Sequence, residues 1–169
     1  MSERDSYMEN TAITRIDAPG EVRTPVRNTK FSYMYRDASN YKKSGSVVLD
    51  GVITPELEQR LKKTLDGGRL FIAGQVSVPE VFLWNAEMDY DPHNPPADLK
   101  KGEYVISDDD HCWHEFTGVF PSEDDALDKD GRTIDQFVAA FESAAAEGWN
   151  VFHPADRAPA AVRDRLRGC

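Results

Sequence analysis

Two histidines, one cysteine and four carboxylates fall within eight consecutive residues, Asp108-Asp109-Asp110-His111-Cys112-Trp113-His114-Glu115. Imidazole beside carboxylate is the pairing that general acid-base chemistry uses, and the same groups ligate divalent cations. A second acidic run, Glu87, Asp89, Asp91 and His93 at alternate positions, could turn further donors toward one ion. The metal set read from the chain is therefore His111, His114, Glu115 and Asp110, with Asp89, Asp91 and His93, and the cofactor it would hold is a divalent metal. The acid-base candidates are His111 and Glu115. Neither zincin helix spacing nor paired cysteine knuckles occur, and the 87–93 run lacks the glycine and closing glutamate of an EF-hand.

Those residues need a backbone to aim them. His111 to Val119 reads as an aromatic-rich strand, which places His111, Trp113 and Glu115 on one face and Cys112 and His114 on the other. The two histidines are then expected to point apart, and Cys112 has no neighbouring imidazole positioned to activate it. The bland alternative packs Cys112 and Phe116 into a core and leaves His111 and Glu115 at the surface.

Upstream, Phe31, Tyr33 and Tyr35 alternate with Ser32, Met34 and Arg36, as in a half-buried strand, and Ser46 to Leu49 reads as its antiparallel return. The connection carries Arg36, Asp37, Asn40 and Tyr41, which are turn formers that also form a candidate binding cluster, together with Asp108, Asp109, Asp110 and Trp113. A helix is expected from Thr54, with Pro55 in its first turn and Ile53, Leu57, Leu61 and Leu65 as its buried stripe, stopped by Gly67-Gly68. Leu70 to Ala73 reads as a buried strand continuing through Val76 and Val78, with Val81 to Trp84 beyond Pro79. Pro92, Pro95 and Pro96 mark a long loop over 85–101, and Glu103 to Ile106 reads as a short strand. A second helix is expected from Thr133, capped with Gln136, to about Glu147 before Gly148. Ile134, Phe137, Val138, Phe141 and Ala145 make its inner face. Trp149, Val151 and Phe152 read as a return to the core.

The fold class expected is α+β: one domain, a mostly antiparallel sheet with two main helices packed on one face. Its boundaries are a flexible leader over 1–29, a globular domain over 30–152, and a C-terminal basic segment over 153–169 forming a short peripheral helix with Val162 and Leu166 inward.

Charge narrows the partners. Over 169 residues the net charge is −10, and residues 87–130 hold 14 acids against 3 bases. That concentration argues against direct binding to nucleic acid or an anionic membrane. Two cysteines, Cys112 and Cys169, make no disulfide framework, and the opening thirty residues have no apolar run, so a cytoplasmic location is expected. No Walker loop, dinucleotide fingerprint or glycine-framed serine is present.

The stretch Lys30-Phe31-Ser32-Tyr33-Met34-Tyr35-Arg36-Asp37-Ala38-Ser39-Asn40-Tyr41-Lys42 resembles a motif of small uncharacterised bacterial proteins. Asp110 to Glu115 is similar to a second motif in the same proteins. The resemblance implies a soluble bacterial domain and carries no activity with it. Two function classes follow from the residues: a small binding or regulatory module presenting its acidic 87–130 surface to a protein partner with a basic surface, or a metal-dependent hydrolase or related enzyme built on the 108–115 segment.

Overall fold

Alternation of large aromatics with smaller polar residues makes the central strand. In β1 (Asn28–Arg36) every second side chain is buried, so Thr29, Phe31, Tyr33 and Tyr35 face inward. The computed structural model describes residues 26–83 and 106–157. β1 pairs antiparallel with β2 (Lys42–Asp50), from Asn28 opposite Asp50 to Arg36 opposite Lys42. The five-residue connection closes on Asp37: its carboxylate accepts the Tyr41 N–H at 2.8 Å, and its carbonyl accepts that of Asn40, which takes the left-handed conformation at φ 72°. β1 begins inside the stretch read as leader. Thr29, fully buried, donates its hydroxyl to the Gly51 carbonyl and accepts the Ile53 N–H, tying β1 to the chain entering the first helix.

The first helix, α1 (Pro55–Thr64), starts as its sequence dictates, with the Thr54 hydroxyl accepting the Leu57 N–H. It stops a few residues before Gly67-Gly68, because Leu65 is already extended; the two glycines take positive φ in the following turn. β3 covers only Leu70–Phe71. The expected continuation as a strand fails at Ala73–Val76, which form a 3-10 turn, and Val78 to Leu83 form no strand either. Side chains substitute for a ladder there. The Arg132 guanidinium donates to the Val76 and Ser77 carbonyls, and Gln75 bonds the Ala144 and Gly148 carbonyls and the Asn150 N–H.

β4 (His114–Ser122) lies between β1 and β3, giving the antiparallel order β2-β1-β4-β3. It begins three residues later than expected and carries a bulge. Ser32 faces Gly118 but Tyr33 faces Phe116, leaving Thr117 as the extra residue. The second helix, α2 (Ile134–Glu147), has the reciprocal Thr133–Gln136 capping box and ends at Gly148. It buries Ile134, Phe137, Val138 and Phe141, with Ala144 in place of the expected Ala145. α1 and α2 pack on one face of the sheet and are joined at their rims by a two-pronged Arg60–Glu142 pair. Phe31 is the centre of the core, its ring 4.9 to 5.6 Å from those of Phe137, Phe141 and Phe71.

Trp149 and Phe152 pack against this core while Val151 is exposed, so the return expected there uses two of its three residues. A one-turn α3 (Pro154–Arg157) follows, with Arg157 over the Phe152 ring and paired with Glu80. Asp89, Asp91 and His93, the 85–101 loop, the 103–105 stretch, and Val162 and Leu166 lie outside the described residues. No helix of the described residues is long and apolar enough to cross a membrane.

Candidate functional site

The two motif segments, about seventy residues apart in the chain, form one end of the sheet. Tyr35 joins them. Its hydroxyl donates to Asp110 Oδ1 at 2.8 Å and accepts the His111 N–H at 3.2 Å. Asp110 Oδ2 takes the Ser107 N–H at 2.9 Å and its hydroxyl at 3.3 Å. Beside it the Asp109 carbonyl accepts the Ala38 N–H, and its carboxylate accepts the Ser39 hydroxyl at 2.5 Å. The hairpin tip is thereby bolted to the Ser107–His111 turn from both sides. Burial pushes the Tyr35 phenol far above its ordinary pKa, with the Asp110 charge adding to the effect, so the hydroxyl stays protonated and keeps donating.

The histidines separate by role, but not as the strand reading has it. His111 and Trp113 precede β4, so period-two alternation does not govern them. The His111 ring lies 5.1 Å from that of Tyr35, and the His114 ring lies 6.0 Å from it: both lean on one inward-facing phenol. His111 Nδ1 accepts the Trp113 N–H, which leaves Nε2 to carry the proton of the neutral ring. His114 is fully buried among Tyr33, Phe71 and Phe82. Its Nε2 accepts the Val81 N–H at 3.1 Å, and its Nδ1 has no hydrogen-bond partner among the described residues. Desolvation drives its pKa down to about 3, with the nearby His111 adding to the shift, so it is neutral at physiological pH.

The expected His111–Glu115 pair is not assembled. Glu115 sits on the outer face of the sheet, ion-paired to Arg36 at 3.1 Å, while His111 packs on an inward-facing ring. Arg36 also reaches Asn40, and its Nε is buried without a hydrogen-bond partner among the described residues. Cys112 is buried, and desolvation raises its thiol pKa, the reverse of what a nucleophile needs. Among the described residues, no three His, Cys, Asp or Glu side chains converge to hold a metal ion. Of the metal set, Asp110, Glu115 and His114 are each engaged in the bonds above.

The acidic stretch also divides. Asp108 to Asp110 lie beside the hairpin tip, whereas Glu123 to Asp130 lie at the far end of β4, where Asn28 donates to the Asp124 carbonyl. Those ends are about 25 Å apart by the rise of the strand. Asp128, its side chain 1% exposed, is held by Arg132 through two charge-assisted bonds of 2.9 and 2.7 Å, and that contact lowers its pKa.

No protein-family model, curated protein or solved structure matches this chain. What it does is therefore argued from this geometry alone. At the tip, Tyr41 is 70% exposed, and Asn40 and Asp108 are exposed beside it. Asp37, Asp109 and Asp110, expected as binding groups, serve first as braces. Sequence reasoning missed Tyr35, Ser39 and Ser107 as their partners. A serine three residues before an aspartate is a turn signal that marks Ser107, but nothing in the sequence pairs Tyr35 with Asp110.

Proposed function

We propose that this is a cytoplasmic protein-binding module whose recognition surface is the hairpin tip, Asp37 to Tyr41, together with the Ser107–His111 turn, and whose partner presents a basic surface. One observation carries the reading: Tyr35, Asp37, Asp109 and Asp110 are spent on internal bonds, which brace this end while it presents an exposed tyrosine and an exposed carboxylate. Binding to a surface already fixed loses little conformational entropy, and tyrosine is among the side chains that anchor interfaces best. The same bonds weigh against an enzyme built on 108–115, because Asp110, Glu115 and His114 would have to give up structural partners before taking part in chemistry.

Capture of partners from host lysate by the full chain, quantified by mass spectrometry at low and high salt, tests this. A Tyr41→Ala, Asp108→Asn double variant is expected to lose the salt-sensitive partners, while Glu123→Gln, Asp125→Asn at the far end retains them. Retention by the first variant, or loss confined to the second, would reject the tip as the interface. Asp109 and Asp110 are left intact because removing them would unlock the platform itself.

A further inference from the structure

The sheet's outer face, opposite the helices, carries a depression of about 320 Å³ lined by Lys30, Ser32, Ser44, Ser46 and Thr117, with Tyr33 and Gly45 completing it. Its shape follows from register. Ser32 stands directly across from Ser46 on one side and from Gly118 on the other, and the bulge at Thr117 widens the strand there. Gly118 leaves room for the Phe120 ring, which a Cβ there would meet at 2.6 Å. Lys30 sits at one end, between Val48 and Phe120. Four hydroxyls and one ammonium thus line the depression, and among the described residues no carboxylate does.

Lys30 is exceptional among the cations. Of the described lysines and arginines that are not fully exposed, Arg36 is paired with Glu115, Arg132 with Asp128, and Lys43 has a partner of its own. Lys30 is half-buried with no anionic partner among the described residues, in a chain of net charge −10 that has carboxylates to spare. Its cross-strand neighbours, Val48 and Phe120, are apolar and offer its charge no partner, whereas the depression it lines offers hydroxyls.

We propose that this depression is a binding site for a phosphate group, free or carried as a monoester, held by the Lys30 ammonium and by hydroxyl donors from Ser32, Ser44, Ser46 and Thr117. An ammonium supplies charge without geometric demand, and the surrounding hydroxyls rotate to donate to a tetrahedral oxyanion. The site is on a different face from the hairpin tip and does not depend on the function proposed for that end.

Amide chemical shifts of the full-length protein, followed while inorganic phosphate replaces chloride at constant ionic strength, provide the test. Saturable shifts are expected at Ser32, Ser46 and Thr117. Lys30→Gln should weaken them at least about tenfold, Lys30→Arg should retain them, and Ser46→Ala should weaken them about two- to tenfold, the range of one lost hydrogen bond. A parallel titration with glycerol phosphate separates the sources: tighter binding of the monoester marks a carried phosphate, equal binding the free ion. Shifts that never saturate, that survive Lys30→Gln unchanged, or that glucose reproduces would overturn the proposal. Thermal unfolding of each variant confirms that the fold compared is the same.

Discussion

Tyr35 and His114 show how two neighbouring buried groups of opposite habit are managed. Tyr35 uses its hydroxyl twice, as donor to Asp110 and acceptor from His111, so Tyr35→Phe strands a carboxylate oxygen and a backbone N–H at once. The expected cost is about 1–3 kcal/mol in urea unfolding, with the helical circular dichroism unchanged. His114 is kept neutral by burial, and the sign of its pH effect follows. With a pKa of about 3 when folded against about 6.5 when unfolded, the unfolded chain binds the extra proton between those values. Its contribution is therefore whole above about pH 6.5 and drains away as pH falls toward 3, by at most about 1.4 kcal/mol per pH unit. Asp128, whose pKa its bonds to Arg132 lower, begins to lose its contribution only as pH falls through the ordinary carboxylate range. The His114 effect therefore starts at higher pH, and the two overlap only at the acid end. Unfolding free energies measured from pH 7 to pH 4 should fall with decreasing pH, and in His114→Gln the fall should be shallower by close to one proton.

Among the elements, the hairpin and the helix pair fix the core for different reasons. Gly45 faces Tyr33 across the β1–β2 ladder, and a Cβ there would come within 2.6 Å of the Tyr33 ring. That ring has nowhere to go: it is buried, and its hydroxyl donates to the Pro79 carbonyl at 2.6 Å. Gly45→Ala is thus expected to destabilise by about 1–3 kcal/mol through overpacking, although alanine is ordinarily tolerated in an edge strand. Leu61, fully buried on α1, is a case of the opposite kind. Leu61→Ala should cost about 2–5 kcal/mol by opening a cavity under the helix pair. Chemical denaturation measures both, and a loss under about half a kcal/mol for Leu61→Ala would be inconsistent with a core built on α1.

For the molecule as a whole, the acidic residues described between 106 and 130 are divided between the two ends of one strand and are partly neutralised from within. Asp128 and Glu115 are paired with arginines, and Asp109 and Asp110 with hydroxyls and backbone N–H groups. Those four carboxylates would have to give up these partners before they could converge on a cation. Elemental analysis of protein purified without added metal is expected to find less than stoichiometric zinc, manganese and iron; full occupancy would favour the hydrolase reading and place His111 at its centre.

Local signals were enough for the elements that obey local rules. The alternation from Phe31 to Tyr35, the Thr54 and Thr133 caps, and the four-residue stripe through Leu57 and Leu61 each state their own structure, because period and capping depend only on near neighbours. The α+β class followed from their order. Ala73–Val76 were expected to extend the strand because they follow the apolar run Leu70–Ile72; what decided otherwise was Arg132, arriving from more than fifty residues away, and the distant Ala144 and Gly148 carbonyls that Gln75 reaches. His111 and Glu115 looked paired because alternation was carried back past the true start of β4, and the bulge at Thr117 re-aimed what followed. The joining of Tyr35 to Asp110 and the gathering of hydroxyls around Lys30 were settled only in three dimensions. Both depend on strand register, which brings together residues that the sequence lists far apart and leaves no periodic trace along it.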